Sequence, residues 1–435
     1  MSQAAAAARP KGSVGRRSAA AVRRPDGERL ALGTAAFAVG MLPLLVPSGP
    51  FNIAPVDVPI AIVIGATMLW ASLSGRQLRF AYVVPVALFV GGGVIGALRG
   101  PVPGKGAVAL VQDLELLVWC WALLNVGSTA HRLGVLMRTW AYASVAWAGV
   151  MFLGLFTGIK YLSGLNSSEG TRTALTFLDP NQTGNYFFIS IMVVWATQCP
   201  QRRAWRVFAY CMLFAAIVST GSSGALVSLA LGAGVAGFLG IRRVRGPVAA
   251  ISFAALAALA VFAFHSTVSI SSIQNAAADS KYAFIRNGIG RGAQSVGSRT
   301  SILGETTGLY ESSGPLGAGP TSTKPRLRSA QSSEVKEAHD DYIAALLERG
   351  LIGLVGLLLL VGSLLQRTAA FSTGRLSPAF DKVVPKPNAL LGAVAGTMVA
   401  MAVYEVLHVR HVWALFAFVA AVSMFGREPD ADEGG

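Results

Sequence analysis

Charge is what this chain has least of. Only 13% of its 435 residues are Asp, Glu, Lys or Arg, about half the share usual in a soluble globular domain. That deficit excludes an ordinary cytosolic enzyme of this length. Cysteine is scarce too, with three in all, too few for a disulfide scaffold or a Cys-rich metal site. None of the three falls in the long polar stretch 265–342, which must fold without disulfides. Acidic residues are fewer than basic ones, 21 against 36, for a formal charge of +15. Such a balance can suit nucleic acid. Here, however, the basic residues sit in a tail and in short connections between apolar runs, which suits lipid headgroups and gives no nucleic-acid surface.

What the chain does have is apolar length: 53% of residues are hydrophobic and the mean hydropathy is +0.55. About twelve runs are long enough for membrane helices. They lie near 30–47, 56–74, 80–98, 107–126, 133–156, 184–199, 205–219, 224–240, 248–264, 343–365, 389–408 and 412–426. Gly91-Gly92-Gly93 inside the third run is tolerable where neighbouring helices cover the backbone. Lys and Arg recur in every second connection: Arg76 and Arg79; Arg132; Arg202, Arg203 and Arg206; Arg242, Arg243 and Arg245; then Arg367, Arg375, Lys382 and Lys386. By the positive-inside rule both termini are cytoplasmic, which requires an even number of spans. The expected fold is an all-α integral membrane protein of about twelve transmembrane helices, with a long extracytoplasmic loop between helices 9 and 10.

The expected organisation follows. Residues 1–29 form a basic, disordered cytoplasmic tail, and 30–264 hold helices 1–9 with an outer loop at 157–183. Residues 265–342 are the long extracytoplasmic loop, 343–426 hold helices 10–12, and 427–435 are an acidic cytoplasmic tail. The first apolar run leads into more membrane, so a cleavable signal peptide fits poorly. The eight basic residues of the long loop are roughly balanced by acids. Long loops usually carry function, so the chemistry is expected to face outward.

The most informative stretch is His339-Asp340-Asp341-Tyr342-Ile343-Ala344-Ala345-Leu346-Leu347-Glu348-Arg349-Gly350-Leu351-Ile352-Gly353. Tyr342, Ala345, Leu346 and Gly353 share a helical face by spacing. His339 therefore falls at or just before a helix start, with Asp340 and Asp341 at the positive end of the helix dipole. A neutral imidazole there can accept a proton. The bland alternative is a His that only caps or bonds locally.

This stretch resembles the signature of the O-antigen ligase/polymerase family: His, a small polar residue, nine variable residues, Gly, two more and a small residue. Asp340 departs from the family's usual Asn, Ser or Gln. Two other stretches are similar to family patterns. Ser298-Arg299-Thr300 precedes Gly314-Pro315-Leu316-Gly317-Ala318-Gly319-Pro320, like an Arg followed by Pro-hydrophobic-Gly-x-Gly. Arg172 leads into Phe177-Leu178-Asp179-Pro180-Asn181-Gln182-Thr183-Gly184, like an Arg before Pro-Asn-x-x-Gly at the head of a span.

The resemblance implies transfer of a glycan from an undecaprenyl-(pyro)phosphate carrier on the outer face of the bacterial plasma membrane. The acceptor is a glycolipid (ligases) or another lipid-linked glycan (polymerases), and no nucleotide sugar, cofactor or metal is needed. A polyprenyl phosphate leaves as a stable anion. What remains is to deprotonate an acceptor hydroxyl and to hold the leaving phosphates. A His titrating near neutrality suits the first task, worth about 10²–10⁴-fold, and arginines suit the second through bidentate bonds. His339 is thus expected as base, with Arg172 and Arg299 as phosphate clamps. Arg286 and Arg291 are weaker candidates, since loop arginines are more often solvated. The absence of a convincing Asp-x-Asp motif or His/Cys metal spacing agrees with a lipid-linked donor.

Asp113, and less so Glu115, are intramembrane carboxylates with a possible functional role, or else groups that snorkel or pair. Glu405, His408, Arg410 and His411 cluster at the outer end of the eleventh run, and either line the His339 cavity or form an ion-pair network. Trp119, Trp121, Trp140 and Trp147 suit packing and interface anchoring better than a sugar platform. The competing readings are a twelve-span transporter or flippase of a lipid-linked glycan, a glycan polymerase of the shape-elongation-division type, and a non-enzymatic anchoring subunit of the cell envelope. A transporter of this size is usually built from two repeated halves, and no repeat is visible here.

Overall fold

The computed structural model describes residues 26–46, 53–165, 172–267, 269–281, 286, 308–310, 313–331 and 340–427. Over these residues the chain is helical, with no strand beyond a single bridge between Leu376 and Arg427. The helices are α1 (Asp26–Gly40), α2 (Asp57–Ser74), α3 (Val83–Arg99), α4 (Pro103–Val126), α5 (Ala130–Thr157), α6 (Lys160–Ser163), α7 (Pro180–Thr197), α8 (Arg203–Thr220), α9 (Ser223–Thr267) and α10 (Ile270–Ala278). They continue with α11 (Thr323–Ser329), α12 (Asp341–Thr373), α13 (Pro378–Val383), α14 (Asn388–Met401) and α15 (Arg410–Phe425). A 3₁₀ turn, Leu175–Phe177, precedes α7.

Each apolar run of the sequence contributes to a helix, although the first and eleventh runs outlast theirs, which end at Gly40 and Met401. Five helices (α2, α4, α5, α9 and α12) are long and apolar enough to cross a membrane, and α3, α14 and α15 are shorter apolar helices. Two departures from expectation stand out. The first helix starts at Asp26, inside the stretch read as a disordered tail. The runs at 224–240 and 248–264 merge into α9, a 45-residue element broken at Gly246 (φ 86°) just before Pro247. Proline removes a backbone donor and crowds the preceding turn, so the break falls where the sequence dictates.

Burial is arranged for a lipid solvent. The central helix is α15, buried continuously from His411 to Val422, as expected of a helix that is apolar all round. Outward-facing apolar side chains are abundant instead: Phe156 is 87% exposed, Leu98 82% and Val244 81%. Water would not tolerate so much apolar surface, whereas acyl chains do.

Close helix approach comes from small residues. A Cβ on Gly92 of α3 would lie 2.5 Å from the Arg349 carbonyl oxygen, and one on Gly96 would lie 2.5 Å from that of Glu348. This Gly-x-x-x-Gly face seats α3 against α12, the association expected where lipid tails compete with side chains for contact. Of the three consecutive glycines, Gly92 and Gly93 are packing surface, whereas a Cβ on Gly91 would meet nothing within 4 Å.

Two of the basic connections meet at one aromatic ring. The guanidinium groups of Arg76 and Arg132 each lie 4.9 Å from the centre of the Trp70 ring, and Arg132 also pairs with Glu28 at 3.5 Å.

Candidate active site

The helix that follows His339 is held at both its start and its break. Asp340 is the N-cap of α12, its carboxylate accepting from the Tyr342 amide (2.8 Å) and the Ile343 amide (3.0 Å). Asp, Asn and Ser all cap well, so the departure from the family's usual residue preserves this role. Burial pushes the Asp340 carboxyl above the ordinary carboxylate range, against the pull of those two amides. Asp341, buried, accepts from the Val406 amide at 2.8 Å, tying the start of α12 to the connection 402–409. His339 immediately precedes this anchored cap in the sequence.

Ten residues beyond the cap the helix breaks. Gly350 has φ 66° and ψ −168°, a conformation that L side chains avoid. The segment Pro315–Pro320 inserts there. The Ala318 amide donates to the Leu347 carbonyl (2.9 Å), the Gly319 amide to the Glu348 carbonyl (2.8 Å), and the Leu351 amide to the Pro315 carbonyl (2.8 Å). The Glu348 carboxylate completes the clasp, accepting from the Thr321 amide (2.9 Å), the Thr323 amide (3.2 Å) and the Thr323 hydroxyl (2.8 Å). Backbone groups orphaned by a break must be satisfied within a membrane protein. The Pro-Leu-Gly-Ala-Gly motif does this, and it requires Gly at 317 and 319, both at positive φ (76° and 90°).

The Arg172 stretch is built with equal care. Its Nε donates to the Thr220 carbonyl at 2.8 Å and one Nη to the Asn181 side-chain oxygen at 3.3 Å. Ser222, in the α8–α9 turn, donates to the same oxygen at 3.0 Å. Asp179 caps α7 through the amides of Asn181 (2.7 Å) and Gln182 (3.4 Å), with Pro180 at the first helical position as expected. Gln182 then meets His408, Nε2 to Nε2, at 3.0 Å.

The connection 402–409 joins these two halves. It reaches α12 through Val406 and α7 through His408, and Glu405 stands within it. The cluster expected at the outer end of the eleventh run thus fans out to separate partners. Arg410 forms a bidentate pair with Asp57 of α2, at 2.8 and 2.7 Å. His411 is fully buried, its Nε2 2.9 Å from the Asn185 side-chain oxygen on α7.

Other candidates are dispersed. Asp113 on α4 pairs with Arg349 on α12 at 2.7 Å. Arg286 is exposed and donates to the Ser280 carbonyl at 3.3 Å. His339, Arg291 and Arg299 lie outside the described residues. Trp119 and Trp140 are buried in the core, and Trp140 donates to the Ser190 hydroxyl at 2.9 Å. Among the described residues, no three His, Cys, Asp or Glu side chains come together as metal ligands would. Sequence reasoning missed Arg349 as a partner, though a charged residue just before Gly350 in an apolar run was a signal. Its guanidinium lies 3.9 Å from the centre of the Phe89 ring.

The helices and the lipid-suited surface define a multi-pass membrane protein. Residues 207–358, about a third of the chain, match the family model described as O-antigen ligase, and over that stretch the chain is similar to the O-antigen ligase/polymerase family. The match takes in α8, α9, the stretch to α12, the Pro315–Pro320 segment and the Gly350 break; the Arg172 stretch lies before it. No curated protein matches the chain.

Proposed function

We propose that this protein transfers a glycan from an undecaprenyl-(pyro)phosphate carrier to an acceptor glycan or glycolipid, on the outer face of the bacterial inner membrane. Twelve spans with both termini cytoplasmic put the Arg172 stretch (157–183) and the long loop (265–342) on that face. His339 takes the proton from an acceptor hydroxyl as its oxygen attacks the anomeric carbon. The bond from that carbon to the carrier phosphate breaks, and the lipid phosphate departs as an anion. Arg172 and Arg299 hold its charge, so the step calls for neither a metal nor a nucleotide sugar.

The observation that carries this reading, beside the family match, is the run of contacts joining the two candidate halves. Arg172 bonds Asn181, Gln182 next to it meets His408, and the same connection binds Asp341, two residues from His339. A base and a phosphate clamp on separate loops need such a link to act on one bond.

The test uses the purified protein in nanodiscs with an undecaprenyl-linked glycan donor and its acceptor. Arg172→Ala should lower transfer about 10²-fold. Arg172→Lys should recover only part of it, because one ammonium group cannot bond Thr220 and Asn181 in the guanidinium's fork geometry. Undiminished transfer by Arg172→Ala would remove Arg172 from the site.

A further inference from the structure

The opposite end of the bundle holds a cavity of about 890 Å³ that the transfer chemistry does not use. Its wall is formed by the first half of α5, the foot of α7 and its connection to α8, the start of α8, and α13. Helix α7 separates it from the candidate site, because Asp179 at the head of α7 belongs to the Arg172 stretch while Thr197 at its foot lines the cavity. Eighteen residues of helix span roughly 27 Å.

The lining has one sign of charge. Arg138, Arg202 and Lys382 come from three different elements, and no Asp or Glu is among the lining residues. Arg138 is steadied by its Nε, which donates to the Gly134 carbonyl at 2.8 Å. Three cations that line one cavity with no acid among them favour an anion between them. Next to them stand Tyr142, Trp205 and Phe208, all exposed. Amphipathic aromatics such as Tyr142 and Trp205 mark the level where headgroups meet acyl chains.

We infer that this cavity binds the headgroup of an anionic glycerophospholipid, with its phosphate on Arg138, Arg202 and Lys382 and its proximal acyl carbons against Tyr142, Trp205 and Phe208. A free phosphate would satisfy the cations alone. It would leave the aromatic wall and most of the volume unused, whereas a lipid fills both. Basic pockets between helix ends are the usual form of such sites.

The test is native mass spectrometry of the full-length protein released from detergent and titrated with dioleoylphosphatidylglycerol. Dioleoylphosphatidylcholine and inorganic phosphate serve as competitors. Tight retention of the anionic lipid is expected, with little displacement by either competitor. R138Q/R202Q/K382Q should weaken binding about tenfold or more, while R242Q/R243Q/R245Q, at exposed positions of α9, should not. A second readout guards against misfolding of the triple variant. Phosphatidylglycerol brominated on its acyl chains should quench part of the tryptophan fluorescence, and Trp205→Phe should lose that part. Equal binding by both triple variants, or equal retention of phosphatidylcholine, would overturn the site. Displacement by inorganic phosphate would overturn the lipid as its occupant.

Discussion

The pairing of Asp113 with Arg349 gives an intramembrane carboxylate a structural role to be tested. A lone charge in the bilayer is a functional candidate by default, and from the sequence alone Asp113 was one. Its partner lies on another helix, more than two hundred positions away along the chain, so no local pattern could expose the pair. At 2.7 Å, with both side chains largely buried, the pair is expected to be structural. Arg349→Ala leaves an uncompensated buried carboxylate, a loss of about 3–5 kcal/mol, and should deplete the protein from membranes. Asp113→Leu combined with Arg349→Met removes both charges and should restore abundance with glycan transfer intact. An abundant but inactive double variant would return Asp113 to the chemistry. The Arg410–Asp57 pair and the His411–Asn185 contact were hidden for the same reason.

At the scale of elements, much was legible. Apolar length marked every long helix, Asp179-Pro180 marked the head of α7, and Asp340 marked the start of α12. These signals are local, set by hydropathy and by the chemistry of helix caps. The break at Gly350 was not legible as a break. Its glycine was visible, but the segment that fills the gap comes from another part of the chain. The two motifs, separate in sequence, are one structural device. A Cβ at Gly350 would lie 2.5 Å from the Leu316 carbonyl carbon, in addition to the cost of its positive φ, about 1–3 kcal/mol. Gly246 has a positive φ as well, yet a Cβ there meets nothing within 4 Å. Gly350→Ala should therefore lower the melting temperature in detergent well beyond Gly246→Ala. Equal shifts would mean that the inserted segment contributes no steric constraint.

For the whole molecule, the alternation of basic connections led to an orientation, and the structure gathers Arg76 with Arg132 over one ring and Arg138, Arg202 and Lys382 around one cavity. The long loop and the Arg172 stretch are expected on the other side. Ser332→Cys should react with a membrane-impermeant maleimide in intact cells, whereas Ser18→Cys should react only after permeabilisation. Labelling of Ser18→Cys in intact cells would reverse the orientation and place the proposed chemistry on the wrong face.

The central claim, that His339 is the base for transfer from a lipid-linked donor, is tested most directly by His339→Ala. The variant and the wild type are compared at matched membrane levels in a strain lacking the gene, with lipid-linked glycan and finished surface polysaccharide measured together. Normal insertion, accumulation of lipid-linked glycan on the outer face and loss of finished polymer are the expected result. Polysaccharide at the wild-type level would contradict it, removing His339 as base and restoring the transport or scaffold alternatives.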